Sequence, residues 1–200
     1  MHRLPPEFYQ RDTLYVAPAL IGCFLIRKKE NNVIIGRINE TEAYVGLADK
    51  ACHAYQNKYT ERTKPMFANG GIAYVYFVYG KYHCLNVVTE AEGVPCAVLL
   101  RGVEIVEGLE HAALNRYKKD LKYLSRLQLK NMSNGPGKLC QAFAINGDQN
   151  QASLQSEQLF ICEKIKGVEK ETGVICAGKR IGIAYAGEAQ DYLWRFYEKQ

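Results

Sequence analysis

Residues 72–89 read IAYVYFVYGKYHCLNVVT and predict a β-hairpin. Val, Ile, Tyr and Phe, which favour strands, dominate both halves, Ile72–Val78 and Tyr82–Thr89. The two halves are joined by Tyr79-Gly80-Lys81, where Gly80 can adopt the positive φ that a tight turn requires. The stretch therefore predicts two paired strands with Tyr79 at the tip of the hairpin.

Strand and helix patterns continue on both sides of this hairpin. Further strands are predicted at Cys23–Lys29, Val33–Tyr44 after an Asn31-Asn32 turn, Ala97–Val103, Leu159–Ile165 and Lys179–Ala184. The first predicted helix follows an N-cap at Asp12, contains Pro18 and ends at Gly22. A second is predicted over Glu104–Lys130, with Leu114, Tyr117, Leu121 and Leu124 on one buried face. A third is predicted to begin in SNGPGKLCQAFAI, residues 133–145. Residues 45–70 have no sustained period and predict a long functional loop. With no internal repeat or linker, the chain is expected to form one α+β domain, residues 1–200.

Length and composition are those of a folded globular protein. The chain has 200 residues, 48% of them apolar and 24% charged, which excludes disordered, collagen-like and membrane classes. Seven scattered cysteines without a C-x-x-C pair indicate neither a disulfide framework nor a zinc ribbon. No segment resembles a signal peptide or a membrane span, so we expect a cytoplasmic protein that does not associate with membranes.

The segment INETEAY, residues 38–44, places two acids and an aromatic ring together. Because side chains alternate along a strand, Glu40, Glu42 and Tyr44 are expected to share one face. The segment on its own is compatible with a solvated acidic edge strand. The segment alone favours that structural interpretation, and the functional alternative is a general base beside an aromatic wall.

Aromatic and basic residues both suggest a flat polyanionic ligand. The chain holds 14 Tyr, and four of them fall between residues 74 and 82, more phenolic rings than a core would hold, because each buried hydroxyl needs a partner. The net charge is +5, and residues 115–130 carry six basic residues and one acid, which equals the whole excess. Lys118, Lys122, Arg126 and Lys130 would form a stripe at i, i+4 spacing on one helix, either a phosphate-contacting surface or a solvated helix face.

Several blocks together resemble one family. They are RINETEAYVGLADKACHA (37–54), PMFANGGIAYVYFVYGKYHCLNVV (65–88), CAVLLRGVE (96–104), GPGKLCQAFAIN (135–146), and RIGIAYAGE (180–188) with WRFY (194–197). Their order and length resemble the alkyladenine (3-methyladenine) DNA glycosylase family over nearly the entire chain.

The resemblance implies a fold, an activity and a partner. The fold implied is a compact mixed α/β domain around a curved, mainly antiparallel sheet. The activity implied is that of a monofunctional DNA repair glycosylase of base excision repair, which flips alkylated or deaminated purines out of duplex DNA and hydrolyses the N-glycosidic bond. The lesions would be of the class of 3-methyladenine, 7-methylguanine, hypoxanthine and ethenoadenine, and an abasic site would remain. The resemblance implies that the protein uses no metal or organic cofactor. It also implies damaged double-stranded DNA as the partner, a monomer and, in a bacterium, association with the nucleoid.

Roles follow from the resemblance position by position. Glu42 matches the general base that activates water, and Arg101 matches the arginine that helps to hold that carboxylate. Tyr44, His53 and Tyr76 match the three rings that sandwich the flipped base.

Two further positions match residues around the base. Tyr79 matches the side chain that fills the gap left in the duplex, in agreement with its place at the hairpin tip. Asn86 matches the amide that clashes with the 2-amino group of guanine. Lys118, Lys122 and Arg126 remain candidates for contacts with the DNA backbone.

Two rival functions use the same residues differently. A non-catalytic nucleic-acid-binding domain would use the tyrosines and the basic segment for recognition alone, but it would gain nothing from Glu42. A sugar glycosidase would use Glu40 and Glu42 as its two carboxylates, but it would leave the hairpin tyrosines unused.

Overall fold

The computed structural model describes residues 2–168 and 171–199. Its centre is one eight-stranded, curled sheet in which every pairing is antiparallel. The strands are β1 Phe24–Lys29, β2 Asn32–Val45, β3 Ala73–Val78, β4 Tyr82–Thr89, β5 Cys96–Glu107, β6 Leu159–Cys162, β7 Ile175–Gly178 and β8 Arg195–Glu198. The main order is β3-β4-β5-β2-β1-β6, with β8 paired to both β2 and β7. The predicted α+β fold around a curved antiparallel sheet is therefore confirmed.

The long strand β2 organises the sheet. It pairs with β1, β5 and β8, and its register against β5 shifts between Ile38 and Glu40 and again between Glu40 and Thr41. Irregularities of this kind bend a strand and redirect its side chains, and they are common next to active sites. Here the shift lies directly before Glu42.

In the described part of the chain, five α-helices accompany the sheet. They are α1 Pro6–Tyr9, α2 Thr13–Ala19, α3 Leu109–Tyr117, α4 Arg126–Lys130 and α5 Pro136–Ala142. The predicted N-cap is confirmed, because the side chain of Asp12 accepts hydrogen bonds from the N–H groups of Leu14 and Tyr15. Helices α2, α3 and α5 cover the face of the sheet that carries the main hydrophobic core, where Leu85, Leu100 and Phe143 are buried. The opposite face is left for the site described below.

The predicted hairpin is confirmed and projects from the sheet. Strands β3 and β4 pair from Ala73 with Val87 to Val78 with Tyr82. Tyr79 and Gly80 both have positive φ, 53° and 61°, which is the geometry of a tight hairpin turn. The side chain of Tyr79 is consequently 84% exposed.

The prediction of one helix over Glu104–Lys130 is wrong. Strand β5 continues to Glu107, and the chain then turns at Gly108, where φ is +79° and a Cβ would lie 2.2 Å from the Val33 carbonyl oxygen. Helix α3 ends because Lys118 is left-handed, and α4 begins only at a capping box formed by Ser125 and Gln128.

Because of these breaks, the predicted buried face of the Glu104–Lys130 helix does not form on a single helix. Tyr117, Leu121 and Leu124 still pack against the core, but Leu114 is 44% exposed. The stripe of Lys118, Lys122, Arg126 and Lys130 therefore does not lie on one helix. Periodicity alone could not reveal this, because the apolar spacing runs on across both interruptions.

The last predicted strand, Lys179–Ala184, is also wrong. Strand β7 ends at Gly178, and the residues that follow form a loop held by the buried side chain of Arg180. The strand predicted over Leu159–Ile165 ends earlier, at Cys162. Among the residues that the structure describes, no helix has both the length and the apolar character that crossing a membrane requires.

Candidate active site

Four side chains line up across the sheet on the face opposite the main core. Tyr74 pairs with Asn86, Asn86 with Leu99, and Leu99 with Glu42, on β3, β4, β5 and β2. Cross-strand partners point to the same face, and residues two positions away along a strand do so as well. The sheet register thus brings three distant sequence segments onto one surface.

A cavity of about 290 Å³ lies on this surface. Six of the seven residues predicted for catalysis, base binding or intercalation line it, namely Tyr44, His53, Tyr76, Tyr79, Asn86 and Arg101. The seventh, Glu42, does not reach the cavity wall, because its side chain is 0% exposed. The structure therefore gathers the predicted residues at one place and puts the carboxylate just behind the wall.

The carboxylate of Glu42 is covered by three hydrogen-bond donors. Oε2 accepts from the hydroxyl of Tyr44 at 2.8 Å and from Nη1 of Arg101 at 3.5 Å. Oε1 accepts from the backbone N–H of Ile181 at 2.7 Å. Tyr44, Arg101 and Ile181 all line the cavity, so the groups that bond the carboxylate are themselves part of the cavity wall.

Burial and its partners act on Glu42 in opposite directions. Burial raises the pKa of this carboxyl above its ordinary value, and Arg101, the Ile181 N–H and the Tyr44 hydroxyl oppose the rise. The charge of Glu40 adds to the rise. A carboxylate in this environment can accept a proton more readily than an exposed glutamate can.

The second acid of the INETEAY segment has a different environment. Oε1 of Glu40 accepts from Nε of Arg101 and from Nη1 of Arg195, each at 3.0 Å. Glu40 does not line the 290 Å³ cavity and instead faces a separate groove on the other side of Arg101. Arg101 therefore joins the two acids, as their predicted common face requires, but only Glu42 adjoins the aromatic cavity.

Tyr44 is held by a buried ion pair. The guanidinium of Arg180 lies 4.8 Å from the centroid of the Tyr44 ring and 5.0 Å from that of Trp194. Its two terminal nitrogens bond both carboxylate oxygens of Asp49 at 2.5 and 2.7 Å, and both side chains are fully buried. This bidentate pair ties the loop after β2 to the loop after β7.

The long loop at residues 45–70 delivers His53 to the opposite wall. The His53 ring stands edge-on to Tyr76 with centroids 4.6 Å apart, and Nδ1 lies 2.9 Å from the hydroxyl of Tyr74. Nε2 lies 3.5 Å from Nη2 of Arg62, whose guanidinium covers the Tyr76 ring at 4.9 Å. Burial, with a contribution from Arg62, lowers the pKa of His53 to about 4, so the ring is neutral near pH 7.

Asn86 has a fixed orientation on the cavity floor. It is 4% exposed, and its Nδ2 donates to the backbone carbonyl of Tyr74 at 3.0 Å. Because that bond occupies one end of the amide, the side chain cannot rotate freely away from a ligand.

The sequence matches one family model over almost its whole length. The model describes methylpurine-DNA glycosylase (MPG) and covers residues 7–200. The chain belongs to this family. A protein of Clostridium novyi (strain NT) is 48% identical over 199 residues, which is 100% of this chain and 96% of the relative. A protein of Clostridioides difficile (strain 630) is 47% identical over 197 residues, 96% of this chain and 98% of the relative. Both are named "Putative 3-methyladenine DNA glycosylase".

Membership of the family confirms the resemblance and identifies the chain as a DNA glycosylase, which acts on DNA and cleaves N-glycosyl bonds. Three features of this glycosylase have no counterpart in the sequence-based predictions. They are the Ile181 N–H on Glu42, the Arg180–Asp49 pair behind Tyr44, and Arg62 over Tyr76. Each joins residues far apart in the chain or lies in an irregular loop, so no local pattern could indicate it.

The three candidate backbone-contacting residues lie apart from this cavity. Lys118, Lys122 and Arg126 are all exposed, and none of them lines the cavity of the glycosylase. Nη1 of the neighbouring Arg116 donates to the backbone carbonyls of Asn131 and Met132. Arg116 therefore stabilises the protein backbone and is not a candidate for contact with DNA. A contact between the three residues and DNA stays a prediction.

Proposed function

We propose that this glycosylase flips alkylated or deaminated purines out of duplex DNA and hydrolyses their N-glycosidic bond with a water that Glu42 activates, leaving an abasic site. The lesions proposed are of the class of 3-methyladenine, 7-methylguanine, hypoxanthine and ethenoadenine. The observation that carries the proposal is a fully buried carboxylate directly behind the wall of an aromatic cavity. A module that only binds nucleic acid has no use for such a group.

The dimensions of the cavity favour a single extruded base. A volume of about 290 Å³ is at the lower end of the range for small-molecule sites, and the cavity opens beside the exposed hairpin tip. C1′ and the base cannot be reached inside the base stack, so the nucleotide must leave it. Tyr79, exposed at the mouth, would fill the space that the base vacates.

The walls suit electron-poor purines. Tyr44 and Tyr76 offer ring faces and His53 is a neutral ring, so a base that carries positive charge after alkylation gains cation–π attraction. Both His53 nitrogens already have partners in the protein, Tyr74 and Arg62. A hydrogen bond from His53 to the purine edge would therefore require Arg62 to move.

Glu42 is the group best suited to accept a proton from water. Its Oε1 accepts one hydrogen bond, from Ile181, and a carboxylate oxygen can accept two. A water that reaches Oε1 between Arg101 and Ile181 would lose its proton to the carboxylate while its oxygen attacks C1′. Before the proton transfer is complete, the negative charge of Glu42 would stabilise the positive charge that develops on the sugar.

Departure of the base completes the step. When the C1′–N bond of a cationic purine breaks, its electron pair neutralises the ring, so the base leaves neutral without a general acid. For a cationic base the reaction consumes one water and yields the free base, an abasic site and the proton that Glu42 took from the water. A neutral lesion such as hypoxanthine must also take up one proton as it leaves, and the proton removed from the water balances it. Among the described residues that line the cavity there is no lysine, which favours water over an amine as the nucleophile.

Glu40 is ill placed to serve as a second catalytic carboxylate. Two arginines hold it, and it faces the other groove, so a pair of carboxylates flanking one sugar bond is not formed. This arrangement disfavours the sugar-glycosidase alternative.

The proposal is tested by incubating the protein with duplexes that each carry one defined lesion. We expect release of the free base and strand breaks only after alkali. The same reactions are repeated with borohydride, and no covalent protein–DNA adduct should be trapped. Absence of base release from every lesion duplex would reject the proposal, and a trapped adduct would reject the water mechanism.

A further inference from the structure

Tyr185 is a second exposed aromatic ring at the mouth of the cavity. It is 71% exposed and lies on the loop of residues 180–186, which we call the rim loop. Ile181, on the same loop, is 51% exposed. Both side chains line the 290 Å³ cavity together with Tyr79 from the hairpin. The function proposed above gives neither of these two side chains a role.

The rim loop is held in place from below. Arg180 anchors its start through the buried bonds to Asp49 and through a bond of 2.8 Å from Nη1 to the Ala43 carbonyl. The Ile181 N–H bonds Glu42, and Ile183 is buried in a small apolar cluster. The loop therefore presents its two apolar side chains on a fixed base, which lowers the entropic cost of a contact.

Tyr185 and Tyr79 line the same cavity although 106 residues separate them. The mouth of the cavity is thus bordered by two exposed phenol rings and an exposed isoleucine. Clustered exposed apolar side chains of this kind are typical of an interaction site.

We propose that Tyr185 is a second DNA-contacting ring, which packs against the nucleotide next to the flipped one. The inference rests on the proposed function, because a flipped nucleotide stays covalently joined to both neighbours. The strand must therefore run over the mouth, where side chains on the rim meet it. Aromatic rings suit this contact, because every base offers a flat π-face whatever the sequence. Tyr79 would replace the vacated base, and Tyr185 would hold the adjoining nucleotide.

The test measures affinity, which separates this contact from catalysis. The probes are a fluorescent duplex with a tetrahydrofuran abasic-site analogue and an intact duplex of the same sequence. Tyr185→Ala is expected to weaken binding to the abasic duplex by about tenfold. Tyr185→Phe, which keeps the ring, should bind within about twofold of wild type. Tyr15→Ala is the matched control, because Tyr15 is 54% exposed but does not line the cavity.

A second readout locates the contact. 2-Aminopurine is placed on the 5′ or on the 3′ side of the analogue, and its fluorescence reports stacking of that neighbour. Tyr185→Ala should change the signal at one of the two positions, and Tyr15→Ala at neither.

Three results would overturn the inference: unchanged affinity of Tyr185→Ala, an equal loss in Tyr15→Ala, or an equal loss in Tyr185→Phe. If wild type releases bases while Tyr185→Ala binds normally, the contact between Tyr185 and DNA is rejected and the proposed function is retained. If wild type releases no base from any lesion duplex, the proposed function fails, and the affinity comparison still reports on the rim loop.

Discussion

The backbone N–H of Ile181 donates a hydrogen bond of 2.7 Å to Oε1 of Glu42, across 139 residues of sequence. The same short loop carries Tyr185 at the mouth of the cavity and Arg180 in the interior. A displacement of this loop would therefore change the environment of the buried carboxylate. The rim and the proposed general base are parts of one structural unit.

Replacing Glu42 by Gln should abolish base release and preserve binding. The amide keeps an oxygen for the Ile181 N–H but cannot take a proton from water. Because a positioned general base contributes about 10² to 10⁴-fold, single-turnover release should fall by about that factor while affinity for a lesion duplex is retained.

Glu40→Gln is the matched control for that variant. It removes a carboxylate that also bonds Arg101 but does not line the cavity. Its rate should stay within about tenfold of wild type. An inactive Glu40→Gln beside an active Glu42→Gln would reverse the assignment of the base.

The pH profile should show an acid limb above the ordinary glutamate value of 4.5. Burial raises the pKa of Glu42, so its protonated, inactive form persists to higher pH and the rate increases as pH passes through the raised value. The measurement is single-turnover release of 7-methylguanine, whose alkylated ring needs no protonation. Glu40→Gln should move the limb to lower pH, because the charge of Glu40 adds to the rise. A limb at or below 4.5 would contradict the prediction.

Removing Arg62 should change selectivity by lesion charge. Its guanidinium lies over Tyr76, one of the rings that a cationic base would use. Arg62→Ala should therefore raise the rate ratio of 7-methylguanine to hypoxanthine by about 2- to 5-fold, the range expected for an exposed cation–π contact. It should also raise the pKa of His53, measured by NMR, because Arg62 helps to lower it. Arg62→Lys, which keeps the charge, should leave the pKa of His53 low.

Shortening Asn86 should admit guanine. Guanine and hypoxanthine differ only in the 2-amino group, and the amide of Asn86 is fixed by its bond to the Tyr74 carbonyl. Asn86→Ser should raise single-turnover release of undamaged guanine from a G·T mispair, which is already easy to flip, relative to release of hypoxanthine. An unchanged ratio would mean that guanine is excluded elsewhere.

Replacing Lys118, Lys122 and Arg126 by Ala should flatten the salt dependence of DNA binding. All three side chains are exposed, and each phosphate contact contributes about 0.9 to the slope of log affinity against log salt. The loss should be equal on damaged and intact duplex, because phosphate contacts carry no sequence information.

The control for these cations is a second basic set. Lys29, Lys164 and Lys166 are likewise exposed and do not line the cavity. Their replacement by Ala should leave the slope unchanged. Equal slopes for both triple variants and wild type would assign Lys118, Lys122 and Arg126 to solvated surface.

Patterns that are local in the chain were readable from the sequence. The hairpin of residues 72–89, the N-cap at Asp12 and the shared face of Glu40 and Glu42 follow from residue type and alternation, which depend on near neighbours only. The resemblance added the family and the list of candidate residues. The single helix over Glu104–Lys130 was wrong because the left-handed turn at Lys118 and the capping box at Ser125 outweigh a continuing apolar period.

The sequence by itself therefore determined the main strands, the hairpin tip and the family. Only the tertiary structure decided that Glu42 is fully buried while Glu40 faces another groove, that Arg180 and Asp49 form a buried ion pair, and that Tyr185 and Tyr79 border the same cavity. The physical reason is that burial, ion pairing and the position of a rim depend on contacts between segments that are far apart in the chain. Such contacts leave no periodic trace in either segment.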